Sequence, residues 1–273
     1  MSNYQAWVGK TVEWQDVISQ AAVNRFCATF GIEKTREFAP YGFHWCLFSP
    51  DTTTEELGSD GHPPKGGFMP PIDLPRRMWA ASRLEFFRSL PLEATVVKRS
   101  KIVAVNEKSG KTGALAFVEI EHEIYVDDEI AIKELQTIVY REAADSPMPL
   151  PIADAGEPCG WQFVEHLCPQ PSLLFRYSSL TFNSHRIHYD LPYAQSEELY
   201  PALVVHGPLM ATLALQLASK HGHLKHFSFK GLAPAFCDQP LYLAANIDGS
   251  QGEVSTIGGD GRTCLQAQVI FAA

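Results

Sequence analysis

The residues best suited to chemistry lie close together, between positions 183 and 190. Two histidines, an asparagine, an arginine and an aspartate occur in this segment, which contains no glycine or proline. A neutral histidine has a pKa near the pH of most cells, so it can take a proton from water and later return it. An asparagine can orient a water molecule but cannot act as a base. The segment therefore predicts an acid-base site.

A second chemical feature follows at His206, Gly207 and Pro208, where the sequence enters an apolar helix predicted over 208–219. The first turn of a helix has free backbone N–H groups and the positive end of the helix dipole. Because glycine has no side chain, Gly207 lets a ligand approach that backbone closely. A carbonyl oxygen placed there would be polarised, which stabilises the charge that develops when water adds to a conjugated double bond.

Helices in both halves are predicted from the spacing of apolar residues. In the first half, apolar residues four positions apart predict an amphipathic helix over 18–30, with Asp16 as its cap and Gly31 at its end. The 208–219 helix is apolar almost all round, which is typical of a helix buried on most sides.

Strands follow the predicted helix in each half. Strict alternation over 116–126 predicts a half-buried strand, with a hairpin turn at Asp127 and Asp128. The other predicted elements are a turn over 106–113, a strand over 173–182, strands over 225–231, 240–247, 253–257 and 263–271, and a last turn over 258–261.

Two segments rich in proline or glycine separate these elements. Residues 58–75 predict a long loop, and its part from 61 to 71 is either a wall of the binding pocket or an ordinary connector. Residues 143–158 predict a linker between two halves that repeat the same order of elements.

The spacing of Asn183 and His188 resembles the hydratase motif of MaoC-like, (R)-specific enoyl-thioester hydratases. That motif has an aspartate, four intervening residues and a histidine, as in the dipeptide Ile187-His188. Here Asn183 stands at the aspartate position, so proton transfer falls to His188. Four segments are similar to the branch with mesaconyl-CoA hydratase, itaconyl-CoA hydratase and mitochondrial-type 3-hydroxyacyl-thioester dehydratases, namely 70–80, 175–178, 188–190 and 206–208.

This resemblance implies an α+β double hotdog fold, in which two fused units each wrap an antiparallel sheet around a central helix. We expect an N-terminal unit over 1–142 that covers the acyl pocket, a linker over 143–159, and a C-terminal unit over 160–273 that carries the motif. The implied reaction is reversible addition of water to an α,β-unsaturated acyl-CoA, with no cofactor beyond the coenzyme A of the substrate. Itaconyl-CoA and mesaconyl-CoA are the preferred substrates.

Three alternatives stay open on sequence grounds. The first is a 3-hydroxyacyl-thioester dehydratase of fatty-acid synthesis, the second an acyl-CoA thioesterase, and the third a non-catalytic acyl-CoA-binding module. A thioesterase would release a free thiol, whereas a hydratase would not.

Roles for individual residues follow from the resemblance. His188 is the predicted general base and then acid, Asn183 positions water or substrate, and Gly207 donates its N–H to the thioester oxygen. Arg186 is either a partner of a substrate carboxylate or phosphate, or an ordinary ion-paired arginine. The remaining predicted substrate contacts are His185, His206, Tyr189, Arg76 and Arg77.

Composition excludes some other classes of function. The net charge of −9 argues against a nucleic-acid partner, and the sequence has no long apolar run that would span a membrane. Its polar start lacks a signal core, so we expect a cytoplasmic protein, either monomer or homodimer. We expect no metal, because His221, His223 and His226 lie near a helix end without a carboxylate cluster.

Overall fold

The computed structural model describes residues 4–110 and 113–272. Its strands form one ten-stranded sheet in which all neighbours pair antiparallel. The strands are β1 Thr11–Val17, β2 Arg76–Phe86, β3 Thr95–Gly110, β4 Gly113–Val126, β5 Glu129–Arg141, β6 Phe163–Leu167, β7 Leu224–Gly231, β8 Leu241–Asp248, β9 Gln251–Gly258 and β10 Thr263–Phe271.

The helices are few and unevenly distributed between the halves. The α-helices are α1 Gln20–Phe30, α2 Pro171–Thr181, α3 Leu191–Ser196 and α4 Gly207–Ser219. Short 3₁₀ helices occupy Gln5–Trp7, Phe43–Cys46, Thr54–Glu56 and Arg186–His188. No helix within the described residues combines the length and the apolar character that crossing a membrane requires.

The strand order shows an internal two-fold repeat. Across the sheet it runs β1-β3-β4-β5-β2 and then β7-β10-β9-β8-β6, so each half connects its five strands in the same way. The halves meet where β2 pairs with β7, from Ala81 opposite Lys230 to Glu85 opposite His226. We call this pairing the seam. Residues 142–162 contain no helix or strand, and the predicted unit boundaries stay predictions.

The helix α4 lies at the centre of the core. Most of its apolar residues are buried, including Leu209, Ala211, Ala214 and Leu215 at 0% exposure. It packs against β7, β8, β9 and β10 of its own half and also against β2 of the other half. The sequence produces this arrangement because a helix apolar on nearly every face must be covered on nearly every side. Covering α4 places its first residue, Gly207, near β2, since a Cβ atom there would meet the carbonyl oxygen of Trp79 at 3.6 Å.

Several predicted elements are confirmed. The helix over 208–219 is α4, and the strands β7, β8, β9 and β10 lie within one or two residues of their predicted bounds, whereas β6 was not predicted. The hairpin between β4 and β5 turns at Asp127 and Asp128, which have φ angles of 50° and 61°, as a tight hairpin turn requires.

Three predictions about local structure were wrong. Residues 173–182 are not a strand but part of α2, whose buried residues Leu174 and Tyr177 have helical spacing. The cap of α1 is Ser19, which accepts from the N–H of Ala22, whereas Asp16 lies in β1 and accepts from Phe48. The turn over 106–113 is mostly strand, since β3 runs to Gly110 and β4 begins at Gly113, and 111–112 lie outside the described residues.

Candidate active site

His188 lies in the Arg186–His188 3₁₀ turn with its ring almost fully buried. Its Nδ1 lies 2.7 Å from the carbonyl oxygen of Val204, and a carbonyl can only accept, so Nδ1 carries the proton. Burial lowers the pKa of His188 to about 3, helped by the neighbouring His185. The ring is therefore neutral at pH 7, and Nε2 keeps the lone pair that a general base needs.

Gly207 begins α4, and its place on the cavity wall brings the free N–H groups of the first turn to the site. A Cβ atom built at Gly207 would meet only the carbonyl oxygen of Trp79, at 3.6 Å, which is ordinary contact. Glycine is therefore not demanded by protein packing here. What it provides is open space in front of the helix start.

The ring of His206 packs against the ring of His188. The two rings stack with centroids 3.5 Å apart and planes 18° apart, and Nε2 of His206 lies 2.9 Å from the hydroxyl of Ser178. His206 is fully buried and is not among the residues that line the cavities. The structure thus gives it a packing contact with His188 in place of the predicted contact with substrate.

Asn183 follows the end of α2, where Phe182 takes a left-handed conformation with a φ of 50°. Its side-chain oxygen accepts from the N–H of His185 at 2.9 Å. This hydrogen bond fixes the turn into residues 183–190, which we call the catalytic segment. Because that oxygen is used, the amide NH₂ is the group left to meet a substrate or water.

The cavity beside these residues has a volume of about 500 Å³ and is lined from both halves of the chain. A second, more apolar cavity of about 690 Å³ lies next to it. Four residues belong to both cavities and mark their border: His62, Trp79, Asn183 and Pro208. Trp79 and the neighbouring Ala80 sit at a bulge in β2, a local irregularity that often re-aims residues toward a site.

The predicted arginines separate into paired and unpaired groups. Arg186 is bound to Asp190 at 2.8 Å and to the carbonyl of Ser59 at 2.9 Å, and it does not line either cavity. Arg76 is buried in an ion pair with Glu198 at 2.6 Å. The structure therefore does not place Arg186 or Arg76 where they could touch a ligand in the cavities.

Arg77 does line the 500 Å³ cavity, together with Arg141, which sequence reasoning missed. Arg77 donates to the carbonyl of Pro63 at 3.0 Å, and neither guanidinium forms an ion pair with a carboxylate of the described residues. Two guanidinium groups without a direct ion pair on one cavity wall make that wall a receptor for an anion.

Two further predicted contacts differ in position. His185 is buried on the wall of the 500 Å³ cavity, between the rings of His62 and His188, with centroid distances of 4.1 and 5.4 Å. Tyr189 borders the 690 Å³ cavity with half its surface exposed, and its hydroxyl donates to the carbonyl of Ser184 at 3.1 Å.

His62 and Asp60 are site residues that the sequence did not reveal. The donor atoms of Asp60, His62 and His185 lie within 4.8 Å of one another, a spacing that a metal ion could use. However, Nδ1 of His62 and a carboxylate oxygen of Asp60 are already bound to each other at 2.8 Å. The contacts present are those of a hydrogen-bonded pair, so we assign no metal ligands here.

Comparison with known proteins identifies the family. Residues 42–237 match the family described as Hydroxyacyl-thioester dehydratase type 2. The chain belongs to this family. It is 41% identical to the mesaconyl-C(4)-CoA hydratase of Chloroflexus aurantiacus, over 98% of both chains. It is also 29% identical to the mitochondrial hydroxyacyl-thioester dehydratase type 2 of Schizosaccharomyces pombe, over 86% of this chain and 90% of that one.

A solved structure confirms the fold. A protein of Mycobacterium tuberculosis described as having a double hotdog fold superposes with a TM-score of 0.58 at 14% identity, over 96% of this chain and 95% of that one. The predicted double hotdog is therefore confirmed. As a member of the hydroxyacyl-thioester dehydratase type 2 family, the chain is a hydro-lyase that acts on acyl thioesters, which confirms the predicted class of reaction.

Proposed function

We propose that this chain catalyses the reversible hydration of a branched C5 dicarboxylic acyl-CoA, itaconyl-CoA or mesaconyl-CoA. The observation that carries the proposal is the composition of one cavity wall. A neutral base, His188, and a helix start, Gly207, share the 500 Å³ cavity with the guanidinium groups of Arg77 and Arg141. A thioester with a second, free carboxylate needs all of these groups at once.

In this proposal the thioester oxygen accepts a hydrogen bond from the backbone N–H of Gly207. That donor and the dipole of α4 stabilise the negative charge that moves onto the oxygen when the double bond is attacked. His188 Nε2 takes a proton from the attacking water as the new C–O bond forms at the β-carbon. Asn183 holds the water or the substrate with its amide NH₂. A proton must then be delivered to the α-carbon to complete the hydration.

The free carboxylate of the substrate would bind Arg77 and Arg141. Their wall also carries Tyr140 and Tyr200, whose hydroxyls can donate to a carboxylate. The 690 Å³ cavity, with the exposed aromatic rings of Phe175 and Phe182, would then receive the pantetheine arm. The reacting carbons would lie at the border between the two cavities.

A panel of acyl-CoA thioesters tests the proposal. Mesaconyl-CoA, itaconyl-CoA and crotonyl-CoA are incubated with the protein, and mass spectrometry detects the gain of one water molecule. We expect the diacid thioesters to be hydrated at the highest kcat/KM, and His188→Gln to lower kcat on them by about 10² to 10⁴-fold. Much faster turnover of crotonyl-CoA would refute the diacid assignment. Release of free thiol would instead indicate a thioesterase.

A further inference from the structure

A loop of the first half, residues 58–62, is fastened onto the catalytic segment of the second half. The carbonyl oxygen of Asp60 accepts from the N–H of Arg186 at 2.9 Å. The carbonyl oxygen of Gly61 accepts from the hydroxyl of Ser184 at 2.5 Å. Gly61 has a φ of +85°, and a Cβ atom there would lie 2.0 Å from the carbonyl oxygen of Ser184. The loop is therefore held at a distance that only glycine permits.

This attachment fixes the position of His62. Asp60 accepts from the backbone N–H of His62 with one carboxylate oxygen, at 2.9 Å, and contacts Nδ1 of its ring with the other, at 2.8 Å. Burial raises the pKa of Asp60, but the hydrogen bonds from His62 outweigh it and bring that pKa far below its ordinary value. The carboxylate is thus ionised and can only accept. Nδ1 of His62 carries a proton, and Nε2 is the nitrogen left for a substrate.

The charged groups around His62 act in opposite directions. Burial lowers its pKa, the nearby cations Arg77 and Lys65 lower it further, and Asp60 raises it. The ring of His185 packs on the other side, with centroids 4.1 Å apart, and burial keeps that ring neutral by lowering its pKa to about 3. The net effect lowers the pKa of His62 below the ordinary histidine value, and the carboxylate of Asp60 is the group that limits this shift by stabilising a proton on the ring.

We propose that His62, oriented by Asp60, is a second acid-base residue and exchanges the proton at the α-carbon, while His188 exchanges the proton of water. The proposal rests on the hydration reaction proposed above. His62 is suited to this because it lies at the border of the two cavities, where the reacting carbons would be. It also provides a proton-transferring group, which the amide of Asn183 cannot be.

Each proton in the proposed step has a donor and an acceptor. His188 Nε2 receives a proton from water as the oxygen bonds to the β-carbon and the electrons of the double bond move to the thioester oxygen. His62, protonated on Nε2 and balanced by the charge of Asp60, gives that proton to the α-carbon as the enolate electrons form the C–H bond. His188 ends protonated and His62 neutral. After product release His188 gives its proton to solvent and His62 takes one up, which restores both residues.

His62→Gln and Asp60→Asn test the proposal, with His226→Gln as the matched control. His226 is a half-exposed histidine near a carboxylate, Glu85 at 3.8 Å, but it lines neither cavity. We expect His62→Gln to lower kcat for hydration by about 10² to 10⁴-fold, Asp60→Asn by at least about tenfold, and His226→Gln to leave it unchanged.

The pH profile separates proton transfer from a structural role. Because the working enzyme holds one proton on the His62 and His188 pair, wild-type kcat/KM should fall as pH rises through the pKa of His62, which lies below the ordinary histidine value. In His62→Gln the residual activity should rise with pH and then stay level. An unchanged profile shape, or a variant that keeps wild-type kcat, would overturn the proposal. So would inhibition by a chelator that Zn²⁺ reverses, since the residues would then be metal ligands.

Failure of this proposal is distinguishable from failure of the proposed function. A wild-type protein that hydrates no thioester of the panel would overturn both. A wild-type protein that hydrates a thioester, beside a His62→Gln variant of equal activity and pH profile, would overturn only the role of His62.

Discussion

Replacing Gly61 with alanine tests whether the first half of the chain sets the geometry of the catalytic segment. The added Cβ would lie 2.0 Å from the carbonyl oxygen of Ser184, whereas real Cβ atoms essentially never come closer than 3.0 Å to such an atom. The loop with Asp60 and His62 must therefore withdraw by about 1 Å. A displacement of that size costs on the order of 10²-fold in rate when it moves groups that position a substrate.

Gly66→Ala is the matched control. Gly66 lies in the same long loop with a φ of +97°, but its added Cβ would meet only Pro71, at 3.6 Å. Both variants suffer the cost of a left-handed backbone with a side chain, about 1 to 2 kcal/mol. Only Gly61→Ala adds the collision with Ser184. The difference between the two variants isolates the contact between the halves.

The assay combines hydration kinetics with thermal unfolding. We expect Gly61→Ala to lower kcat/KM about 100-fold and Gly66→Ala to lower it less than about threefold. Both should lose a few degrees of Tm. If Gly61→Ala kept full activity, or if both variants lost activity equally, the loop would not position the site and the reasoning would be refuted.

Three further predictions concern the cavity and its charges. Gly207→Ala should lower kcat/KM at least about tenfold without loss of Tm, since its Cβ would meet only Trp79 at 3.6 Å and would instead crowd the substrate. Arg141→Gln should lower kcat/KM for diacid thioesters by about 10 to 100-fold and spare crotonyl-CoA, whereas Arg186→Gln should not discriminate between them; equal losses on both substrates would contradict this. The pKa of His188 is about 3 in the fold and near 6.5 in the unfolded chain, so unfolding takes up a proton between these values. Its contribution to stability should fall as pH falls through this window, by about 1.4 kcal/mol per pH unit, and urea unfolding of His188→Gln should show a correspondingly weaker loss.

The sequence predicted the second half of the site better than the first. His188, Asn183 and Gly207 belong to short segments, and their arrangement depends on local turns and on the start of one helix. The position of His62 in the site depends on contacts between distant parts of the sequence. One example is the hydrogen bond from Ser184 to Gly61, which are 123 residues apart. Histidine in a proline-rich loop carries no local signal of its partner, so spacing alone could not find it.

The alternation of side chains along β2 could have predicted that Arg76 and Arg77 point to opposite faces. Arg76 and Arg77 are adjacent in β2, and successive side chains of a strand point to opposite faces. One therefore reaches the cavity while the other is buried against Glu198. Arg141 is paired with Arg76 in the register of the sheet, a neighbour relation that no sequence spacing shows.

The helix α2 was missed for a different reason. Its phenylalanine and tyrosine are also frequent in strands, and a short apolar run does not by itself distinguish a strand from a buried helix. What decides in favour of the helix is packing, because Leu174 and Tyr177 face one buried side while Phe175 is two-thirds exposed. Pro171 in its first turn was the local signal.

The seam between β2 and β7 makes the chain a natural candidate for splitting. The loop of His62 lies on one side of it and the turn of His188 on the other, while residues 142–162 connect the halves without any helix or strand. Two fragments cut within that connection would each carry an incomplete set of groups. Turnover would return only when the fragments recombine. The rate of water addition would therefore measure the amount of reassembled protein.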